Sequence, residues 1–309
     1  MTRLAAITVS FAPDFRLCMT LNRSVLDNSP DTVQHHIIVP RRDLKLFGQL
    51  AGPRTQIHCE DDFLPRTFVS VPFVNLKVNL RRPFPPVRGW IQQQVIKLTA
   101  VAASEYDAVL IADSDVEFFR RFTAETFVRD GRVRFFRNPN RIDERLPRHM
   151  IWHRVARALL GLPPAEPPYP DYISSLLVWD PAIVRRMLAQ VTATTGRPWA
   201  TAIAAQLHFS EFVLYGVFVD GVIGAPANSF ASDDPLCLLY WEPIPLNLDS
   251  AAQFIRGVRP TDIAAVISRS LGPRWRFGRQ PSPPSGSRIT QTTGRMSRPK
   301  TTELILPAA

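Results

Sequence analysis

A chain of 309 residues, 45% of them hydrophobic, is long enough to bury a substantial core; this excludes disorder throughout and fits one large domain or two small ones. The net charge of +10 is concentrated at one end: from Arg274 onward six arginines and Lys300 face the single Glu303, a local net of +6, so the rest is only modestly basic. No uncharged apolar run reaches the ~18 residues of a membrane span, and three widely spaced cysteines (Cys18, Cys59, Cys237) with no CxxC pair read as buried thiols, not a zinc site or disulfide framework.

The N-terminal MTRLAAITVSFAPDF has one Arg and a short apolar run before Pro13 and Asp14. It reads as a first core strand, not a secretion signal, and a cytoplasmic protein is expected. FRLCMTLNRSVLDNS places Leu17, Leu21 and Val25 at helical spacing and stops at Asn28-Ser29-Pro30. QHHIIVP is a second strand, DLKLFGQL a short helix and RTQIHCE a third strand. Strand, helix, strand within forty residues predicts a parallel sheet with crossover helices.

RRPFPPVRG is broken by prolines. The helix WIQQQVIKLTAVAAS follows, with Ile91, Val95, Leu98 and Ala102 on one face and Gln93, Gln94 and Lys97 on another. It leads into the apolar strand AVLIA. Downstream, VRFFRNP and SSLLVWDP read as strands, PAIVRRMLAQVTATTG as a helix, and PWATAIAAQLHFSEFVLYGVFVDGV as a helical region carrying Ser210 and Glu211. The proline-dense LGLPPAEPPYPDY reads as an exposed loop. A single α/β domain over residues 1–272, with a mostly parallel central sheet flanked by helices, is therefore expected. Residues 273–309 are basic and rich in Pro, Ser and Thr, which predicts a disordered tail. Such a tail suits weak peripheral contact with an anionic membrane surface; no aromatic RNA-binding motif or zinc-finger spacing supports a nucleic-acid partner.

The motif with chemical content is YDAVLIADSDVEFFRRF, where a buried strand runs into Asp113, Asp115 and Glu117 at alternate positions. In an extended chain these carboxylates point the same way. Converging like charges raise one another's pKa unless a cation sits among them, and a hard divalent cation, Mg²⁺ or Mn²⁺, suits oxygen ligands. The alternative is a helix cap at Asp113 and Ser114.

The first-strand ITVSFAPDF, the helix GWIQQQVIKL, the strand followed by DSD, and the later WD and SEFVLYG together resemble the bacterial glycosyltransferases of the GT-A fold, closest to a poorly characterised group within them. The resemblance covers most of residues 1–265. It implies a GT-A-like (Rossmann-like) domain and transfer of a sugar from a nucleotide-sugar donor to a glycan, lipid-linked or small-molecule acceptor. By the same resemblance Asp113 would contact the nucleotide ribose or the metal, and Asp115 would bind the metal that bridges the donor diphosphate. Ser10, Phe11 and Asp14 would lie against the base and ribose, with Lys97 and Gln93 near the phosphates, although a lysine or glutamine on an amphipathic helix is more often solvated surface. No late histidine matches a further metal ligand; His208 is the nearest.

Sugar transfer needs leaving-group charge stabilised, and an inverting route needs a general base. Glu211 is the candidate for that base or for an acceptor-binding carboxylate, with a cap after Ser210 as the alternative. Asp171 and Tyr172 are candidates for the acceptor pocket, whereas Trp179-Asp180 reads as a core tryptophan and a turn residue. Two other functions compete. One is a haloacid-dehalogenase-type phosphatase, with Asp113 as nucleophile, Asp115 as acid/base and SDD at 232–234 as a second acidic motif. The other is a nucleotide- or sugar-binding protein without turnover.

Overall fold

The computed structural model describes residues 2–71, 77–224, 229–240 and 248–267. The basic tail expected at 273–309 lies outside them. In chain order the first third holds β1 (Leu4–Val9), α1 (Phe15–Asn28), β2 (Gln34–Val39), α2 (Leu44–Phe47), β3 (Thr55–Cys59), β4 (Phe68–Ser70), β5 (Lys77–Asn79), β6 (Arg82–Val87) and α3 (Gly89–Ala103). The middle holds β7 (Ala108–Ala112), β8 (Val116–Phe118), α4 (Ala124–Phe127), β9 (Val128–Arg129), β10 (Arg132–Phe136), β11 (Asn138–Ile142), α5 (Pro147–Leu160), β12 (Tyr169–Asp171) and β13 (Leu176–Trp179). Last come α6 (Pro181–Thr195), α7 (Trp199–Ala204), α8 (Glu211–Phe218), β14 (Ser229–Ser232), β15 (Cys237–Tyr240), α9 (Leu248–Arg256) and β16 (Ala264–Ile267).

The central sheet has the order β13-β7-β1-β2-β3. β1, β2, β3 and β7 run parallel, and β13 closes the edge antiparallel to β7, pairing Leu176 with Ala112 and Trp179 with Val109. This is the α/β architecture with a mostly parallel sheet that the strand–helix–strand pattern predicts. β7 is buried along its whole length, and its side chains divide by the period of two. Val109 and Ile111 join the core under α3, α6 and α8, while Ala108, Leu110 and Ala112 join the opposite core with Leu21 and Val25 of α1 and Phe118. Each large aliphatic side chain so buried contributes about 1.5–3 kcal/mol, so a continuous apolar run is what a two-sided strand requires. All three cysteines are buried free thiols, as expected.

The structure corrects four local expectations. The proline-broken RRPFPPVRG contains β6, the outer strand of an antiparallel sheet ordered β4-β5-β6; an edge strand tolerates residues without an N–H. The helical region from Trp199 onward is two helices, α7 and α8, separated at 205–210 and restarted by Ser210, whose hydroxyl accepts the Val213 N–H at 3.4 Å. The proline-dense loop is not wholly exposed: it contains β12, and Tyr169 and Tyr172 are buried. The backbone is also not extended from Asp113 to Glu117, because the Val116 N–H donates to the Asp113 carbonyl at 3.1 Å and closes a turn.

Candidate active site at the carboxyl edge of the sheet

Parallel strands in an open α/β sheet bring their carboxyl ends to one edge, where the loops after them can converge on a ligand. Here the loops after β1, β2 and β7 are fastened to one another. The turn after β7 buries Ser114, whose hydroxyl donates to the Ser10 hydroxyl at 2.9 Å across 104 residues of chain. Ser10 in turn donates its N–H to the Ile38 carbonyl at the end of β2. Beyond it, Phe11 is extended and half-buried, and Pro13 sits in a 3-10 turn, Ala12–Asp14, that leads into α1. Buried Asp43, just after β2, accepts the Ala12 N–H at 2.9 Å and pins the start of this turn.

The turn splits the three carboxylates of the motif. Glu117 leaves the group: it stands exposed on β8, opposite the buried Val116 and Phe118 and paired with Ala265. Burial, then the charge of Asp113 and, less strongly, that of Asp14 from the loop after β1, push the Asp115 carboxyl up to about 6. Asp113 is half-exposed and Asp115 half-buried.

Behind them stands a buried cation. Lys97 leaves α3 to place Nζ 2.9 Å from Oδ1 of Asp113 and 3.4 Å from Oε1 of Glu211, with the Phe212 ring centroid 5.0 Å away. Burial would lower the Lys97 pKa, but Asp113 and Glu211 outweigh it and hold the ammonium above its ordinary range. Burial raises the Glu211 carboxyl more than Lys97 lowers it. The three side chains form a series from solvent inward, with Asp113 outermost, Lys97 between, and Glu211 only 2% exposed at the first turn of α8.

Asp113, Lys97, Glu211, Asp115, Ser10 and Asp14, each singled out from the sequence, are thus brought to one place. Lys97 is not the solvated surface lysine that an amphipathic helix most often carries. Gln93 is half-buried, and it is Gln94, one position on, that reaches the site: its side-chain oxygen accepts the Glu211 N–H at 2.9 Å. The helical phase held that signal, since Gln94 and Lys97 are three residues apart and share a face. Ser114, named in the sequence only as a cap beside Asp113, caps no helix, since β8 follows, and fastens Ser10 instead; Asp43 carries no sequence signal, because residues that only fasten loops leave no spacing pattern.

Other candidates lie elsewhere. Tyr172 is buried against Gly216 and donates to Asp220 at 2.7 Å, and Arg137 donates to the same Asp220 oxygen at 2.6 Å. Tyr172 is therefore part of the packing under α8, not the wall of an open acceptor pocket. Asp171 accepts the Ile173 N–H, and burial raises its carboxyl. Trp179 is core, and Asp180 caps α6 by accepting from Ala182 and Ile183. His208 is exposed. Asp234 of the SDD motif accepts from Arg259 at 2.9 Å and from the Leu236 N–H, which uses that carboxylate in a loop of its own.

Among the described residues, no three His, Cys, Asp or Glu side chains are grouped so that they alone hold a metal ion. Asp113 and Asp115 nonetheless fit the kind of Mg²⁺ or Mn²⁺ site in which one or two carboxylates bind the ion, and phosphate oxygens and water complete the shell. Charge supports that fit: Asp115 is held against its neighbours' charge, and a cation would relieve it.

Three comparisons with known proteins bear on the chain. The family described as "Family of unknown function (DUF6492)" matches residues 12–231. Among solved structures, a crystal structure of an active-site mutant of LgtC is similar at 14% identity and a TM-score of 0.42, covering 85% of this chain and 87% of that one. No curated protein matches in sequence.

Proposed function

The chain belongs to the DUF6492 family, a family of unknown function, and we propose that it is a metal-dependent glycosyltransferase with a GT-A-like fold that uses a nucleotide-sugar donor. The observation that carries this reading is the ion pair of Lys97 with Asp113 beside Asp115 at the carboxyl end of β7. A buried lysine that two carboxylates hold in its charged form matches what a diphosphate requires: a cation fixed in the protein, and oxygen ligands for a second cation that arrives with the phosphates.

In this reading Asp115 and Asp113 would hold a divalent cation, and the chemistry it would supply there is Lewis-acid stabilisation of negative charge on the leaving nucleoside diphosphate. Lys97 adds fixed positive charge in a low-dielectric setting, where preorganised charge acts most strongly. Ser10, Phe11 and Asp14 form the wall against the nucleoside, held in place by the Ser114–Ser10 and Ala12–Asp43 hydrogen bonds. A general base must touch the acceptor hydroxyl, and Glu211 is sealed behind Lys97. Its geometry favours a positioning role, keeping Lys97 charged and aimed at Asp113, over the role of base.

The test is incubation of the full chain with a panel of UDP-, GDP-, CMP- and dTDP-sugars, with and without Mn²⁺, scoring nucleotide release. Metal-dependent release from one donor class supports the proposal. Absence of release, together with no thermal shift by any nucleotide in Mn²⁺, overturns it. Release of phosphate from simple phosphomonoesters instead would favour the phosphatase reading of Asp113 and Asp115.

A further inference from the structure

Between Asp62 and Glu105 the chain has no acidic residue and six cations: Arg66, Lys77, Arg81, Arg82, Arg88 and Lys97. Lys77 is paired with Glu60 and Asp61, and Lys97 with Asp113 and Glu211. The four arginines are exposed, and none forms an ion pair among the described residues. The same stretch holds large apolar side chains in water. Leu80 at the β5–β6 turn is 60% exposed, Phe84 in β6 is 82% exposed, and Trp90 at the start of α3 is half-exposed.

These side chains stand on a fixed frame. The Leu80 N–H donates to the Thr67 carbonyl, the Arg81 N–H to Asn79, and Asn79 to the Thr201 hydroxyl of α7. Arg81 and Arg82 share a groove with Gly196, Arg197 and Pro198, which adds a fifth exposed arginine. Arg88 donates to the carbonyl of exposed Leu207, and the Trp90 indole N–H to the Phe209 carbonyl. These bonds tie the hairpin that carries Leu80 and Phe84 to α7, and Trp90 to the segment that carries Leu207, so that exposed apolar side chains and exposed arginines alternate along one tethered crest of the chain.

We propose that this crest is a docking surface for an anionic lipid bilayer, with Leu80, Phe84 and Trp90 entering the boundary between headgroups and acyl chains and the arginines meeting lipid phosphates. An apolar protein partner would explain the crest but not the five exposed arginines, none of which forms an ion pair among the described residues. A nucleic acid would explain the arginines, but aliphatic Leu80 and Leu207 offer no face for base stacking. An anionic interface satisfies both, because apolar burial and electrostatic attraction add there. The surface is close to the site: Trp90 and Lys97 are seven residues apart on α3, about 10 Å along its axis. Docking does not depend on the transferase reading, but it would bring that site to the membrane surface.

The experiment is flotation of the full chain with phosphatidylcholine vesicles, with and without phosphatidylglycerol. The chain is expected to float only with the anionic vesicles. Arg81→Ala with Arg82→Ala should weaken partitioning roughly 30-fold at low salt, and Phe84→Ser roughly tenfold, with melting temperatures unchanged. Brominated lipid should quench tryptophan emission in the parent chain and not in Trp90→Phe. Failure to float with anionic vesicles overturns the proposal. So does undiminished binding by both hairpin variants, which would assign the membrane contact to the basic C-terminal segment, and so does an RNA affinity that falls with Phe84→Ser while vesicle binding does not.

Discussion

The Lys97 ammonium lies 3.4 Å from Oε1 of Glu211, and both side chains are buried. Removing one member of such a pair strands the other charge, which costs more than the pair itself contributes. Lys97→Met should therefore destabilise the chain by about 3–5 kcal/mol, whereas Lys97→Met combined with Glu211→Leu should recover much of that loss. Chemical denaturation of the single and double variants measures the coupling; additive losses would show that the pair is not coupled.

Glu211→Gln separates the two catalytic readings of this residue. If Glu211 positions Lys97, the variant should weaken nucleoside diphosphate binding and turnover together. A lost general base would instead leave donor affinity intact and lower transfer by about 10²–10⁴-fold. Calorimetric titration of the nucleoside diphosphate beside the transfer rate reads the difference.

Asp115→Asn should keep the fold, since it preserves shape and removes a charge that Asp113 and Asp14 oppose. Mn²⁺ with a nucleoside diphosphate should raise the melting temperature of the parent chain and not of this variant. An equal rise in both would remove Asp115 from the metal site.

Acid should weaken the fold through histidines that it holds neutral. Burial lowers the His35 pKa to about 3, within a chain in which His35 contacts Thr8 at 3.0 Å and Asn22 at 2.8 Å, and lowers His36 and His153 to about 4. Below pH ~6.5 the unfolded chain takes up protons that the folded one refuses. Stability from these groups is complete above the unfolded pKa and is lost as pH falls through 6 and 5 toward the folded values. Each histidine still neutral adds a slope of up to about 1.4 kcal/mol per pH unit. The raised Asp115 carboxyl adds a slope of the opposite sign, so the check is the difference between the parent chain and His35→Gln in urea at pH 7, 6 and 5: the parent's advantage should shrink as pH falls, and a constant difference would contradict the prediction.

Gly216 on α8 lies flat against the Tyr172 ring, and an added methyl would overlap that ring. Gly216→Ala should cost about 1–3 kcal/mol or more by overpacking, less in a Tyr172→Ala background where the space is open. Equal losses in the two backgrounds, read from melting curves, would mean that the ring is not the obstacle.

The amino-acid sequence by itself determined the layered architecture of this protein. Periods of two and 3.6 are local, so Leu4–Val9, Ala108–Ala112 and the helices between them are legible without knowing their partners. The sequence also marked Asp113, Asp115, Lys97 and Glu211 as chemically interesting. What these residues face was decided only by the tertiary structure. A turn closed by the Asp113 carbonyl took Glu117 away from Asp113 and Asp115, and the packing of α8 beside α3 buried a lysine that the helical pattern places at the surface and held it between two carboxylates. The reason is physical: local pattern reports how a chain meets water and core on average, whereas a pKa, an ion pair or an edge strand full of prolines depends on which distant segment arrives beside it.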